Sequence, residues 1–270
     1  MPSDEIKQEY RDGTRLEQRV NLHDLFSRNR RGWHPWVFDQ LTFPPDGQIL
    51  ELGCGLGLLW QRNSDRIPAE WRVTLSDFSM GMLAEAQAKL QGFNAVSFTV
   101  ADAQAIPFAD GCFDGVIANH MLYYIPDRRK VYAEIERVLK PGGRLYAATN
   151  GQLSMRQYDE LIDECLPGYR QERGSHRDDL FQGHFYLENG YVELAQWFSM
   201  VSEKRYDDAL IVTEAEPLVA YVESSGHLDG QALAGLRRRV EQVIALQGAL
   251  QIDKVAGVLI ATKGLTGGRI

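Results

Sequence analysis

The chain is poor in the features that mark metal sites, membrane spans and nucleic-acid surfaces. It holds three cysteines in 270 residues, Cys54, Cys112 and Cys165. None forms a C-x-x-C pair or a Cys/His ligand spacing, which argues against zinc, and no metal is expected. An odd, scattered set of thiols suits a reducing compartment. No apolar run approaches the roughly 20 residues of a membrane helix. Met1–Asp12 is polar, without the apolar core of a signal peptide. The expectation is a cytoplasmic protein with no membrane partner. Basic charge is also sparse: 29 Lys and Arg stand against 37 Asp and Glu, a net charge of −8. The longest basic run is Arg237-Arg238-Arg239, inside an amphipathic pattern that reads as a solvated helix face. Such a chain is a poor partner for a phosphate backbone, so no nucleic acid is expected. No catalytic triad, internal repeat or low-complexity tract is visible.

What is present is an ordinary globular composition, 44% apolar and 24% charged. The length fits one large domain or a domain with sizeable insertions. Organisation begins at Gln48-Ile49-Leu50-Glu51-Leu52-Gly53-Cys54-Gly55-Leu56-Gly57. The apolar run after Pro44-Pro45-Asp46-Gly47 is too short for a helix and reads as a buried strand. Three glycines at alternate positions follow, and apolar residues then resume as a helix. A strand, a glycine turn and a helix open a doubly wound α/β domain. Dinucleotide folds use G-x-G-x-x-G, which seats a pyrophosphate on the helix; E-x-G-x-G-x-G is one residue tighter.

Later units repeat the strand-then-loop pattern. Trp71–Asp77 reads as strand two, and Asp77 stands 20 residues after Gly57. At that distance an acid can accept both hydroxyls of a ribose. Asp77 could instead cap the helix that follows, but Ser79 can fill that role and leave Asp77 free. Val96–Val100 precedes Ala101-Asp102-Ala103, Phe113–Asn119 is strand four, and Leu139-Lys140-Pro141-Gly142-Gly143-Arg144-Leu145 closes a helix and opens strand five.

These phrases, over residues 47–150, resemble class I S-adenosylmethionine (SAM)-dependent methyltransferases, in particular the small-molecule branch that includes quinone-biosynthesis enzymes. The resemblance implies a doubly wound, seven-stranded, mostly parallel sheet with an antiparallel last strand. It implies that Gly53, Gly55 and Gly57 pass under the methionine part of SAM, with Glu51 ordering the loop. Asp77 would hold the ribose, and Phe78 and Met82 are further cofactor-binding candidates. Asp102 and the Ala103 amide would read adenine, and the Asn119 carbonyl would face the methionine ammonium. SAM, and S-adenosylhomocysteine as its product, are therefore the expected ligands.

Around residues 47–150 the chain divides into an N-terminal helical lid (1–46), a cap insertion (151–198) and a final strand pair (199–263) interrupted by a helical insertion at about 214–250. Residues 1–13 and the tail from Gly264 read as loose. Trp36 reads as an anchor for the lid, and one arginine between 28 and 31 could bind the methionine carboxylate. The polar stretch Pro167–Gly183 carries Arg170, Arg173, His176 and Arg177. Thr213-Glu214-Ala215-Glu216 fits a capping box.

Methyl transfer from a sulfonium asks the protein to align two groups, exclude water and sometimes remove a proton. The run Asn119-His120-Met121-Leu122-Tyr123-Tyr124 follows strand four, at the carboxyl edge where open α/β sheets bind ligands. His120 is a candidate base, since its intrinsic pKa lies near neutrality, and Tyr124 is a second catalytic candidate. Trp33, His34 and His184 are candidates for touching the acceptor. The run lacks the Asn/Asp-Pro-Pro-aromatic tetrad of adenine and glutamine amino-methyltransferases and the Pro-Cys pair of cytosine C5 enzymes. The expected function is methyl transfer to a small-molecule acceptor by a monomer or homodimer, with the acceptor atom left open. The alternatives are a SAM-binding protein without transfer, and a methyltransferase acting on RNA or protein.

Overall fold

The computed structural model describes residues 4–167, 183–226, 228 and 230–265. Arg170, Arg173, His176, Arg177 and the tail beyond Leu265 lie outside the described residues.

A seven-stranded sheet carries the fold, in the order β3-β2-β1-β4-β5-β7-β6. Its strands are β1 (Gln48–Leu52), β2 (Arg72–Asp77), β3 (Val96–Val100), β4 (Phe113–Asn119), β5 (Leu139–Asn150), β6 (Met200–Val212) and β7 (Leu250–Thr262). β1 to β5 pair in parallel, and β7 runs antiparallel to both β5 and β6. β1 sits between β2 and β4. Ile49, Leu50 and Leu52 are buried, as a central parallel strand covered on both faces requires. The chain switches direction of travel through the sheet between β1 and β4, so the carboxyl ends of these two strands flank a crevice.

Helices α1 (Asp4–Glu9), α2 (Thr14–Phe26) and α3 (Trp33–Gln40) precede the sheet. The expectation that residues 1–13 are loose fails for α1, because Glu9 and Tyr10 are tied down. Arg19 pairs with Glu9 at 2.6 Å and donates to the Tyr10 hydroxyl at 2.9 Å. The Gly13 amide donates to Glu85 at 2.8 Å. Trp36 stacks on Trp33 and lies against Tyr206, as an anchor would.

α4 (Leu58–Gln61) follows the glycine turn, α5 (Met80–Lys89) follows β2, and α6 (Arg128–Val138) follows β4. Ser79 caps α5, accepting from the Met82 amide, and Asp127 caps α6. α6 buries Val131, Ile135 and Val138, spaced at helical intervals, against the sheet.

After β5 come α7 (Arg156–Cys165) and α8 (Leu187–Leu194); after β6 come α9 (Ala215–Ser225) and α10 (Gly230–Gln247). Glu214 begins α9 without the expected side-chain cap. α8 is fixed to the core by a buried ion pair. Arg128 donates to both Glu193 oxygens at 2.8 and 2.7 Å, and Tyr132 donates to the same carboxylate at 2.9 Å. β7 begins six residues earlier than Ala256, where the sequence pattern first reads as strand. Its early half pairs only with β6, and there Asp253 and Lys254 interrupt the apolar run.

No helix among the described residues is long and apolar enough to cross a membrane.

Candidate ligand-binding site

The glycine turn is shaped by backbone conformation. Gly53, Gly55 and Gly57 all take positive φ, at 63°, 52° and 69°, a region that glycine enters without steric cost. Space is also short. A Cβ on Gly53 would stand 2.9 Å from the Met121 Cβ, and one on Gly55 would stand 3.1 Å from Leu16.

Two carboxylates hold the turn. Asp77 accepts from the Gly55 amide at 3.0 Å with one oxygen and from the Ser79 amide at 2.9 Å with the other. Ser79 does cap α5, yet Asp77 is not thereby left free, because it joins the turn to the start of the helix. A carboxylate has about four lone-pair positions, so sites remain for incoming hydroxyls. Burial raises the Asp77 pKa, against the pull of its backbone hydrogen bonds. Glu51 is 2% exposed and accepts from the Trp60 indole at 2.6 Å. It thus clamps β1 to α4, and burial pushes its pKa up to about 8.

The turn opens into a cavity of about 1390 Å³. Single-ligand pockets are typically about 300–1,000 Å³, so this space exceeds one ligand. Glu51, Gly53, Gly55, Asp77, Phe78 and Asn119 line one part of it. Gly57, Met82, Asp102 and Ala103, expected at the cofactor, are not on the cavity wall. Gly57 is covered by Leu90 and Ala86, Met82 is fully buried, and Ala103 packs into the core with Ile106. Asp102 folds back to accept from the Gln104 amide at 2.9 Å. The strap of residues 10–13 crosses this side of the site. The Arg11 carbonyl lies so close to Gly81 that a Cβ there would stand 2.0 Å from it.

The other part of the cavity is aromatic and rich in imidazole. Trp33, His34, His120, Tyr124 and His184 all line it. His120 takes a positive φ of 55°, rare for a side-chain-bearing residue, and its ring lies 5.0 Å from Trp33. The Trp33 indole donates to the Asn119 side chain at 3.2 Å. Burial and nearby Lys254 push the His120 pKa down to about 4, which corrects the expectation of a base poised near neutrality. The Tyr124 hydroxyl is hydrogen-bonded to that of Tyr10. His184 is exposed at the rim, with its carbonyl held by Asn189. Arg31 is taken up by Asp39, whereas Arg30 does line the cavity.

Sequence reasoning missed His23, Tyr158, Tyr221 and Lys254, which also line this part. For His23 a signal existed. Leu16, Val20, His23 and Ser27 fall on one helical stripe, and all four line the cavity. Lys254 gave none, since it follows Asp253 in a stretch that does not read as strand. It pairs with Asp208 at 2.8 Å, across the β6–β7 ladder, and Asp208 also accepts from Ser27 and the Asn29 amide.

Residues 50–147 match the sequence model of the family described as "Methyltransferase domain". The chain is similar to the ubiquinone/menaquinone biosynthesis C-methyltransferase UbiE of Desulfotalea psychrophila, 38% identical over 42% of this chain and 45% of that protein. It is also similar to the demethylmenaquinone methyltransferase of Renibacterium salmoninarum, 34% identical over 53% of this chain and 59% of that protein. The chain thus spans about half the length of these relatives. In fold, the chain is similar to a solved structure named as the 4+2 cyclase SpnF, with a TM-score of 0.60, 19% identity and coverage of 98% of this chain and 97% of the other.

Proposed function

We propose that this protein transfers a methyl group from SAM to a small-molecule acceptor. The observation that carries this reading is the single cavity of about 1390 Å³, which joins the glycine turn and Asp77 to an aromatic, imidazole-lined chamber. Fold alone does not carry it, since a cyclase shares the fold. The names of the sequence relatives support methyl transfer.

SAM would supply an activated methyl on sulfur, and the protein's residues do the rest. Gly53 and Gly55 leave room for the methionine part, and Asp77 accepts from the ribose hydroxyls. Glu51 stiffens the turn through Trp60, and Phe78 flanks the adenosine. Met82, Gly57, Asp102 and Ala103 act from behind, by shaping the loops. Asn119 and Trp33 fix the end of β4, where His120 orients the acceptor. His34, Tyr124 and His184 complete the enclosure and exclude water.

Beside His120 and Tyr124, the acceptor chamber is walled by α2, α3, Tyr158, Tyr221 and Lys254, which lie outside residues 50–147. The identity of the relatives' substrates therefore does not carry over with the core. A concave chamber, rather than a flat groove, favours a small molecule over RNA or protein.

A melting scan tests the reading. A ligand at a hundredfold its dissociation constant stabilises by about 2.7 kcal/mol, which raises Tm at roughly 2–4 °C per kcal/mol. S-adenosylhomocysteine is expected to give such a shift and NAD none. A shift with NAD alone overturns the assignment.

A further inference from the structure

The chamber's polar groups are biased toward one kind of ligand atom. Four basic side chains converge there from four elements: His23 on α2, His34 on α3, His120 after β4 and Lys254 on β7. They lie within electrostatic reach of one another. The Nδ1 atoms of His23 and His34 are buried with no hydrogen-bond partner. A buried orphan N–H is costlier than an orphan lone pair. The proton of each neutral ring therefore sits on Nε2, leaving that edge as the ring's hydrogen-bond donor. A second proton would strand a donor on Nδ1, which is why burial holds both rings uncharged.

Several acidic groups at this space are engaged by neighbouring residues, and Asp159 also lines it. Asp24 is held by Arg62 at 2.7 and 2.6 Å. Glu9 pairs with Arg19, Asp208 with Lys254, and Glu51 with Trp60. The chamber therefore offers N–H donors, next to a Lys254 ammonium that is paired with Asp208, set among the rings of Trp33, Tyr158 and Tyr221.

We propose that the acceptor enters as a planar organic anion, its ionised oxygen (a carboxylate, phenolate or enolate) hydrogen-bonded by His23 and His34 beside Lys254. This deepens the methyltransferase reading and rests on it. The ionised acceptor supplies the electron pair for the new bond to the methyl carbon, while the pair of the breaking carbon–sulfur bond stays on sulfur. When that ionised oxygen itself takes the methyl, the charge of the anion and that of the sulfonium cancel, no proton is released, and no base is required of His120.

Titration calorimetry at pH 7 on enzyme saturated with S-adenosylhomocysteine tests this with three probes of matched shape: 2-naphthoate, 2-naphthamide and the ammonium 2-naphthylmethylamine. The naphthoate is expected to bind at least tenfold more tightly than either of the others. His34→Leu and His23→Leu are each expected to weaken the naphthoate at least fivefold, with the affinity for S-adenosylhomocysteine unchanged. The charge comparison uses the unaltered protein, so it stands even if a variant misfolds. Equal or tighter binding of the amide or the ammonium overturns the proposal, as does an undetectable naphthoate. Failure of S-adenosylhomocysteine to bind in the first step sinks the methyltransferase reading instead.

Discussion

The hydroxyl of Tyr10 is hydrogen-bonded to the hydroxyl of Tyr124, joining residues 114 positions apart with their rings edge to face at 5.2 Å. Arg19 donates to the same Tyr10 hydroxyl at 2.9 Å and ties it to Ser224 on α9. The N-terminal strap is thus latched to the loop after β4 and to the helical insertion after β6. Tyr10→Phe removes the shared hydroxyl, at a cost of about 1 kcal/mol. Trypsin cleavage at Arg11 and the dissociation rate of S-adenosylhomocysteine are both expected to rise several-fold. Unchanged rates would show that the latch does not control access.

Asp77 holds Gly55 and Ser79 at once. Asp77→Asn keeps the shape but turns an acceptor into a donor that faces a backbone N–H. Affinity for S-adenosylhomocysteine is expected to fall by about 1.5–3 kcal/mol, the value of a charge-assisted hydrogen bond. Tm should fall as well, because the turn and the start of α5 share this carboxylate. Calorimetric titration showing wild-type affinity would remove Asp77 from the site.

Gly53 combines positive φ with a neighbour that leaves no room for a Cβ. Gly53→Ala is expected to cost about 1–2 kcal/mol from backbone conformation alone, with Met121 displaced in addition. Chemical denaturation measures the first effect, and loss of cofactor affinity reports the second. Gly111 also has positive φ, at 60°, but nothing within 4 Å of its Cβ position, and it lies off the cavity wall. Gly111→Ala should therefore destabilise the protein without affecting the cofactor.

Glu51 has a pKa raised to about 8 from an ordinary 4.5. The folded state holds this proton where the unfolded state has released it. The group's contribution to stability is therefore full below about pH 4.5 and declines as pH rises to about 8, above which it stays lost. Glu51→Gln keeps an acceptor for Trp60 and removes the titration. Plots of Tm from pH 5 to 9 should be flatter for the variant, and parallel plots would contradict the assignment.

Arg128 and Glu193 are both fully buried, and they bind α6 to α8. Arg128→Met leaves an uncompensated buried carboxylate, at about 3–5 kcal/mol. Adding Glu193→Leu should recover most of that loss. A double variant no more stable than the single one would show that packing, not charge, sets the cost.

The sequence by itself determined the parts in which one strand and the loop after it do the work. The glycine turn after β1, the acid closing β2, the cap at Ser79 and the edge after β4 are each written in fewer than ten consecutive residues. Their conformations follow from local sterics and burial alternation, so the sheet and the turn beside Asp77 were legible. Tertiary structure alone decided which candidates meet. Asp102 and Ala103 sit in the expected loop, yet Asp102 turns back onto the Gln104 amide and Ala103 packs into the core. His23, His120 and Lys254 lie 97 and 134 residues apart in sequence and come together only when α2, β4 and β7 pack around one cavity. Protonation, too, was decided there. His120 has an ordinary side chain in the sequence, and burial beside Lys254 is what makes it a weak base. Desolvation and charge proximity are properties of the assembled chamber, with no counterpart in local sequence.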